Sequence, residues 1–252
     1  MRLFLVLFLV CHFSFSQDDK RKLVWEENFN ATTLDSSIWN FELGNGCPNL
    51  CGWGNNEAQI YTNKNHELKD GFLIIEAKKE GESYTSTRIT TQNKKVFQYG
   101  RIETRAKLPV GTGLWPAFWM LGQNISTVGW PKCGEIDILE YVGKQPDIVF
   151  TSLHTQASHG NTINTMKTTI PTIEEGFHTY AIDWTKDKIA FFVDDILVYT
   201  FQPEVKDENT WPYNQPFYFI INVAIGGNFG GPTIDSTILP QKFILDYIKV
   251  YQ

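Results

Sequence analysis

Gly134-Glu135-Ile136-Asp137-Ile138-Leu139-Glu140-Tyr141 sets three acids among apolar and β-branched residues. Such a run reads as a buried strand rather than a helix. Side chains alternate faces along a strand, so Glu135 and Asp137 share one face. Glu140 stands five residues from Glu135 and would point the other way. One bulged residue between Asp137 and Glu140 restores it to the acidic face. The strand then carries an acidic wall on one side and an apolar wall of Ile136, Ile138, Leu139 and Tyr141 on the other.

Outward from this stretch, strand patterns recur and helical ones are scarce. Residues 101–108 alternate strictly, with Ile102, Thr104, Ala106 and Leu108 expected to face inward. Residues 68–77 contain a Lys-Asp-Gly turn before a β-branched run, and residues 188–200 read as a hairpin turning at Asp194-Asp195. Residues 217–225 and 243–251 are further strands. Only short stretches such as Val205 to Asn209 suit a helix. Many strands without crossover helices predict an all-β fold of antiparallel sheets, a sandwich or jelly roll. No internal repeat or linker divides the chain, so residues 17–252 are expected to form a single domain.

The first sixteen residues stand apart. Arg2 precedes an apolar run from Leu3 to Phe13 that is too short to span a bilayer, and Ser14 and Ser16 suit a cut before Gln17. Residues 1–16 thus read as a secretory signal peptide, giving a secreted protein, extracellular or periplasmic. Cys11 raises lipoprotein anchoring as a lesser alternative, against which bulky Val10 counts. The net charge of −6, with no Lys/Arg run, argues against nucleic acid and anionic membranes as partners. A monomer is the default. Among the remaining cysteines, Cys47 and Cys51 could close a small loop, while Cys133 reads as a buried hydrophobe rather than a catalytic thiol.

An acidic wall of two glutamates and an aspartate suits cleavage of a glycosidic bond, which needs a nucleophile and a general acid. Crowded acids cannot all ionise at neutral pH, so one is pushed into the range of a general acid. Glu135 is the expected nucleophile, Glu140 the acid/base, and Asp137 the partner that hydrogen-bonds Glu135. A solvated acidic face or a calcium cage would use the same residues. The 14% aromatic content and eight tryptophans favour sugar binding, because pyranose rings offer apolar C–H faces to aromatic platforms. Trp115 and Trp119 flank a Pro-Ala-Phe turn and Trp130 sits five residues before Glu135, whereas Trp25, Trp39 and Trp184 are expected in the core.

Residues 99–109, 113–122 and 130–140 resemble glycoside hydrolase family 16, most closely its laminarinase-type endo-β-1,3-glucanases. Trp53-Gly-Asn-Asn-Glu57, residues 178–184, Asn222-Val-Ala-Ile-Gly-Gly227 and residues 243–251 extend the likeness in unbroken order from about Trp25 to the C-terminus. The resemblance implies a β-jelly roll of two curved antiparallel sheets, concanavalin A-like, with a concave cleft for a polysaccharide such as laminarin. It implies hydrolysis with retention by Glu135 and Glu140. The six-residue bulged spacing is that of laminarinases and several galactan hydrolases, while a five-residue form typifies lichenases. By the same likeness Trp115 and Trp119 line the glycone subsites and Trp130 the aglycone side. Arg88, Asn55 and Asn222 bind hydroxyls, and His154 is expected to orient Glu140. By strict alternation Asp246 shares a face with Ile244, Ile248 and Val250, where a bare carboxylate is costly. The resemblance answers this with a structural Ca²⁺ on the convex side, held by Asp246, Gly71 and Glu27, and with no cofactor needed for catalysis. An ion pair at Asp246 would answer it equally well.

Overall fold

A computed structural model describes residues 21–252, so the signal-peptide expectation and Cys11 lie outside the described residues. Two sheets face each other. The first orders its strands Thr165–Thr169, Ile148–His154, Glu135–Tyr141, Leu114–Gly122, Phe217–Ile225, Arg88–Thr90 and Asn40–Glu42, all neighbours antiparallel. The second runs Ile196–Phe201, Ile189–Val193, His178–Trp184, Gly100–Lys107, Gln241–Tyr251 and Phe72–Glu80, then continues through Ser83–Ser86 to Gln59–Tyr61. That last pairing is parallel, a local exception in an otherwise antiparallel jelly-roll sandwich. Among the described residues, helix is confined to single turns, and no helix is long and apolar enough to cross a membrane.

Alternation supplies the core. Ile102, Thr104, Ala106 and Leu108 are all buried, with Thr104 satisfied by donating its Oγ1–H to the Tyr247 carbonyl at 2.8 Å. From the first sheet Ile136, Ile138, Leu139, Tyr141, Phe118, Phe219 and Ile221 meet Ile182, Trp184, Phe243, Leu245 and Ile248 of the second. Burying each such side chain contributes about 1.5–3 kcal/mol. Trp39 and Trp184 are buried as expected, and Trp25 packs against the core with its ring 5.3 Å from that of Phe97. The turns follow their residues. Asp194 and Asp195 both take positive φ (47° and 63°) in the expected hairpin, and Asp70-Gly71 (53° and 79°) does the same before Phe72.

Two expectations fail here. Val205 to Asn209 is not helical, because the Asp207 carboxylate accepts from the amides of Asn209 (2.8 Å) and Thr210 (3.0 Å) and holds a turn instead. Asp246 does not lie with Ile248 and Val250. The strand bulges between Leu245 and Tyr247, so Phe243 and Leu245, then Ile248 and Val250, face the core. Asp246 turns outward, where its Oδ2 lies 2.5 Å from Arg105 Nη1. The alternation that placed it on the apolar face breaks at that bulge.

Candidate active site

The bulge inferred for the acidic strand is present. Both ladders of Glu135–Tyr141 shift register after Asp137, so Ile138 and Leu139 together occupy the place of one residue. Both are buried in the core, and Glu140 returns to the face of Glu135 and Asp137. Residues directly opposite across a ladder share a face. One row therefore crosses the whole sheet as Glu42, Arg88, Asn222, Ala117, Glu140, Phe150 and Lys167. A second joins Ile220, Trp119, Asp137 and Ser152, and a third joins Tyr218, Leu121, Glu135 and His154. The face opposite the core is thus acidic at its centre and aromatic and amide-bearing toward the Asn40–Glu42 edge.

Each glutamate is held by an indole. Trp130 donates Nε1–H to Glu135 Oε2 at 2.6 Å, and Trp115 donates to Glu140 Oε1 at 3.0 Å. Trp130 remains 46% exposed and its ring meets His159 edge-on at 5.3 Å, so a broad apolar surface faces solvent beside Glu135. Tyr213, fully buried, anchors the strand start by donating its hydroxyl to the carbonyls of His154 (3.0 Å) and Glu135 (3.3 Å). Burial pushes the Asp137 carboxyl well above the usual range, and the charge of Glu135 and a hydrogen bond with it act the same way. Glu140 is also pushed well up, first by burial, then by the charge of Asp137, while His154 and the Trp115 N–H pull weakly downward. The wall therefore holds its protons to higher pH than bulk carboxylates do.

His154 does not touch Glu140 as expected. Its Nε2 lies 3.2 Å from Asp137 Oδ2 and 3.9 Å from Glu135 Oε1, because His154 pairs with Glu135 and Phe150 occupies the place opposite Glu140. The glycone-side expectations come together in one network. Trp119 donates to Asn222 Oδ1 at 2.8 Å, and Asn222 Nδ2 donates to the Tyr61 hydroxyl at 3.0 Å. Tyr61 and Gln59 donate to Glu57 Oε2, and Asn55 donates to Glu57 Oε1 at 3.3 Å. The Arg88 guanidinium lies between two indoles, 4.6 Å from Trp53 and 5.0 Å from Trp119, and is paired with Glu42. Cys47 and Cys51 are disulfide-bonded in the loop that carries Trp53, and Trp53 Nε1 donates to the Gly44 carbonyl at 3.2 Å.

Sequence reasoning missed Glu57, Tyr61, Trp53, Glu42 and Phe229 as parts of this wall. Glu57 stood in the Trp53-to-Glu57 segment but had no visible partner; burial raises its pKa, against the hydrogen bonds from Gln59, Asn55 and Tyr61 and the charge of Arg88. Phe229 packs edge-on against both Trp115 (5.3 Å) and Phe150 (4.9 Å), and its only sequence cue is the glycine cluster around it. Cys133 is free and buried, and burial pushes its thiol up to about 12, so it is not a nucleophile.

On the convex side the strand register sets the three expected calcium positions along one edge of Gln241–Tyr251. Glu27 ends the Leu23–Glu27 strand opposite Ile248, and Phe72, next to Gly71, begins the strand that pairs Leu73 with Leu245. Both strands use the same edge of Gln241–Tyr251, and they leave a gap at the Asp246 bulge. The Glu27 carboxylate is engaged by the Phe29 amide (3.1 Å) and Trp39 Nε1 (3.0 Å), so only its carbonyl suits a metal. Backbone oxygens plus one carboxylate suit a hard cation, which would have to displace Arg105 from Asp246.

The comparisons with known proteins agree with this geometry. The model of a family described as glycosyl hydrolases family 16 matches residues 53–238. A β-glucanase of Rhodothermus marinus is 41% identical over 250 residues, which cover 92% of this chain and 85% of that protein. A glucan endo-1,3-β-glucosidase of Cryptopygus antarcticus is 37% identical over 252 residues, 90% of each chain. The crystal structure of a laminarinase from Flavobacterium sp. UMI-01 is 74% identical and superposes with a TM-score of 0.91, covering 92% of this chain and 100% of that one. With its two-sheet fold, bulged acidic strand and matching family model, this chain belongs to the glycosyl hydrolases of family 16.

Proposed function

We propose that this chain is an endo-acting, retaining β-1,3-glucanase that cleaves laminarin-like polysaccharides by double displacement. The observation that carries the reading is the bulged strand, which turns Glu135, Asp137 and Glu140 onto one face and gives each glutamate an indole donor. Glu140 keeps its proton because its surroundings disfavour the charge, so it protonates the leaving glycosidic oxygen. Glu135 attacks the anomeric carbon and forms a glycosyl-enzyme ester. Glu140, now a carboxylate stabilised by the Trp115 N–H, takes a proton from water as that water displaces Glu135. The protonated Asp137 donates to Glu135 before attack and spaces the two charges. Trp115, Trp119 and Trp130 supply ring platforms, while Arg88, Asn55 and Asn222 offer hydroxyl partners on the glycone side; the exposed Trp130 serves the aglycone side.

Support for β-1,3-glucan as substrate comes from the relatives, whose names specify glucanase or laminarinase activity. Incubation with laminarin, lichenan and agarose, followed by reducing-end measurement, tests the proposal. Release from laminarin is expected; no release from any polymer removes the enzyme reading, and release from agarose alone removes the glucanase reading.

The proposal extends to three further points. Residues 1–16 direct secretion, which N-terminal sequencing of the mature protein tests by a start at Gln17. The chain acts as a monomer. A structural Ca²⁺ sits on the convex side at Asp246 with the carbonyls of Glu27 and Gly71, where it would tie the Leu23–Glu27 strand to the start of Phe72–Glu80 and take no part in bond cleavage.

A further inference from the structure

Three ligand-type side chains meet at the centre of the cleft, and one of them brings a buried oxygen that lacks a hydrogen bond. One ligand atom each from Glu135, Asp137 and His154 lies within 4.8 Å of the other two. His154 Nε2 is 3.2 Å from Asp137 Oδ2 and 3.9 Å from Glu135 Oε1. Asp137 is only 2% exposed, and its Oδ2 has no hydrogen-bond partner among the described residues; nor has His154 Nδ1. A buried carboxylate oxygen left in this state is costly. Trp130 already holds Glu135 Oε2, so Oε1 is the oxygen turned toward the histidine.

We propose that Glu135, Asp137 and His154 also form a three-ligand site for a borderline divalent ion of the Zn²⁺ class, whose occupation silences the enzyme and is opposed by bound glucan. Such an ion binds imidazole nitrogen and carboxylate oxygen at about 2.0–2.2 Å, so ligand atoms in a tetrahedral shell lie roughly 3.3 Å apart. The observed 3.2 and 3.9 Å need only small side-chain rotations to meet this. Calcium and magnesium are poor occupants, since they require more oxygen ligands and avoid imidazole. An ion in this site ties up the oxygen that must attack the anomeric carbon, so it excludes productive substrate and is excluded by it. This consequence rests on Glu135 being the nucleophile, whereas metal binding itself does not.

Isothermal titration of ZnCl₂ into the untagged protein, in non-chelating buffer with excess CaCl₂ to fill any convex site, separates the two claims. One Zn²⁺ per chain is expected, and MgCl₂ in its place should give no heat. His154→Ala and Glu135→Gln should each weaken binding by more than about tenfold, since loss of even an outer-shell partner costs about 10–100-fold. Melting curves report whether each variant is folded. Laminari-oligosaccharide added to a turnover-dead Glu140→Ala protein should weaken Zn²⁺ binding in proportion to its own occupancy. Absence of stoichiometric Zn²⁺ binding, or unchanged affinity in both folded variants, overturns the site. Zn²⁺ binding with no competition from the oligosaccharide overturns its link to catalysis.

Discussion

Replacing Asp137 with Asn probes the acidic wall through stability rather than turnover. In the unfolded chain residue 137 ionises near the ordinary aspartate value of 3.8, whereas in the fold it keeps its proton to higher pH. Folding therefore takes up a proton at any pH between those two values. Its contribution to stability is fully present below the unfolded pKa and is lost as pH rises toward the folded one. One proton is worth about 1.4 kcal/mol per pH unit. For a chain of this size ~1 kcal/mol moves the melting temperature by roughly 2–4 °C, so the residue can cost the wild type about 3–6 °C per pH unit. Asn has nearly the same volume, cannot ionise, and can still donate an N–H to Glu135, so the loss stops. Differential scanning fluorimetry across about pH 5 to 7 should therefore show the variant gaining on the wild type as pH rises. A difference that is flat, or that shrinks with pH, would refute the account of a proton held by burial.

The other predictions concern chemistry and the convex face. Glu135→Ala and Glu140→Ala should each lose most laminarin turnover, the latter by about 10²–10⁴-fold, while both proteins still unfold cooperatively. Azide should rescue Glu135→Ala to a glycosyl azide of inverted configuration, and that stereochemistry from Glu140→Ala instead would reverse the two roles. Trp130→Phe keeps a platform but removes the N–H on Glu135; kcat/KM should fall about 10–100-fold, in keeping with a charge-assisted bond of roughly 1.5–3 kcal/mol. Unchanged kinetics would make that contact incidental. Adding EGTA should lower the melting temperature with little direct effect on the chemical step, and an unaltered melting curve would dismiss the calcium.

What could be read from the sequence was local and periodic. The alternation at residues 101–108, the Asp-Gly and Asp-Asp turns and the bulge needed by Glu140 all depend on neighbours within a few positions, and each is present. What could not be read was long-range pairing. Asp246 finds Arg105 from 141 positions away, and the bulge that turns it outward leaves no periodic trace of its own. The His154 partner depends on the register between two strands, and a shift of one same-face step would have given it Asp137 in place of Glu135 as the residue directly opposite. Glu57 is tied to the cleft through Tyr61, whose hydroxyl accepts from Asn222 across 161 positions. Family resemblance singled out Arg88, Asn222 and Asn55, which the fold gathers in one network, where residue chemistry alone offered several readings. It did not assign His154 correctly.

The bulge at Ile138-Leu139 has a genetic consequence. Before it Asp137 faces Trp119 and Ser152, and after it Glu140 faces Ala117 and Phe150, the partners that an unbroken strand one residue shorter would also reach. Removing a single codon at Ile138 or Leu139 would thus leave the downstream cross-strand pairs and the face of each acid unchanged, and would yield the five-residue spacing of the lichenase-type branch. The two spacings differ by one in-frame deletion, with the strand register on either side of it kept.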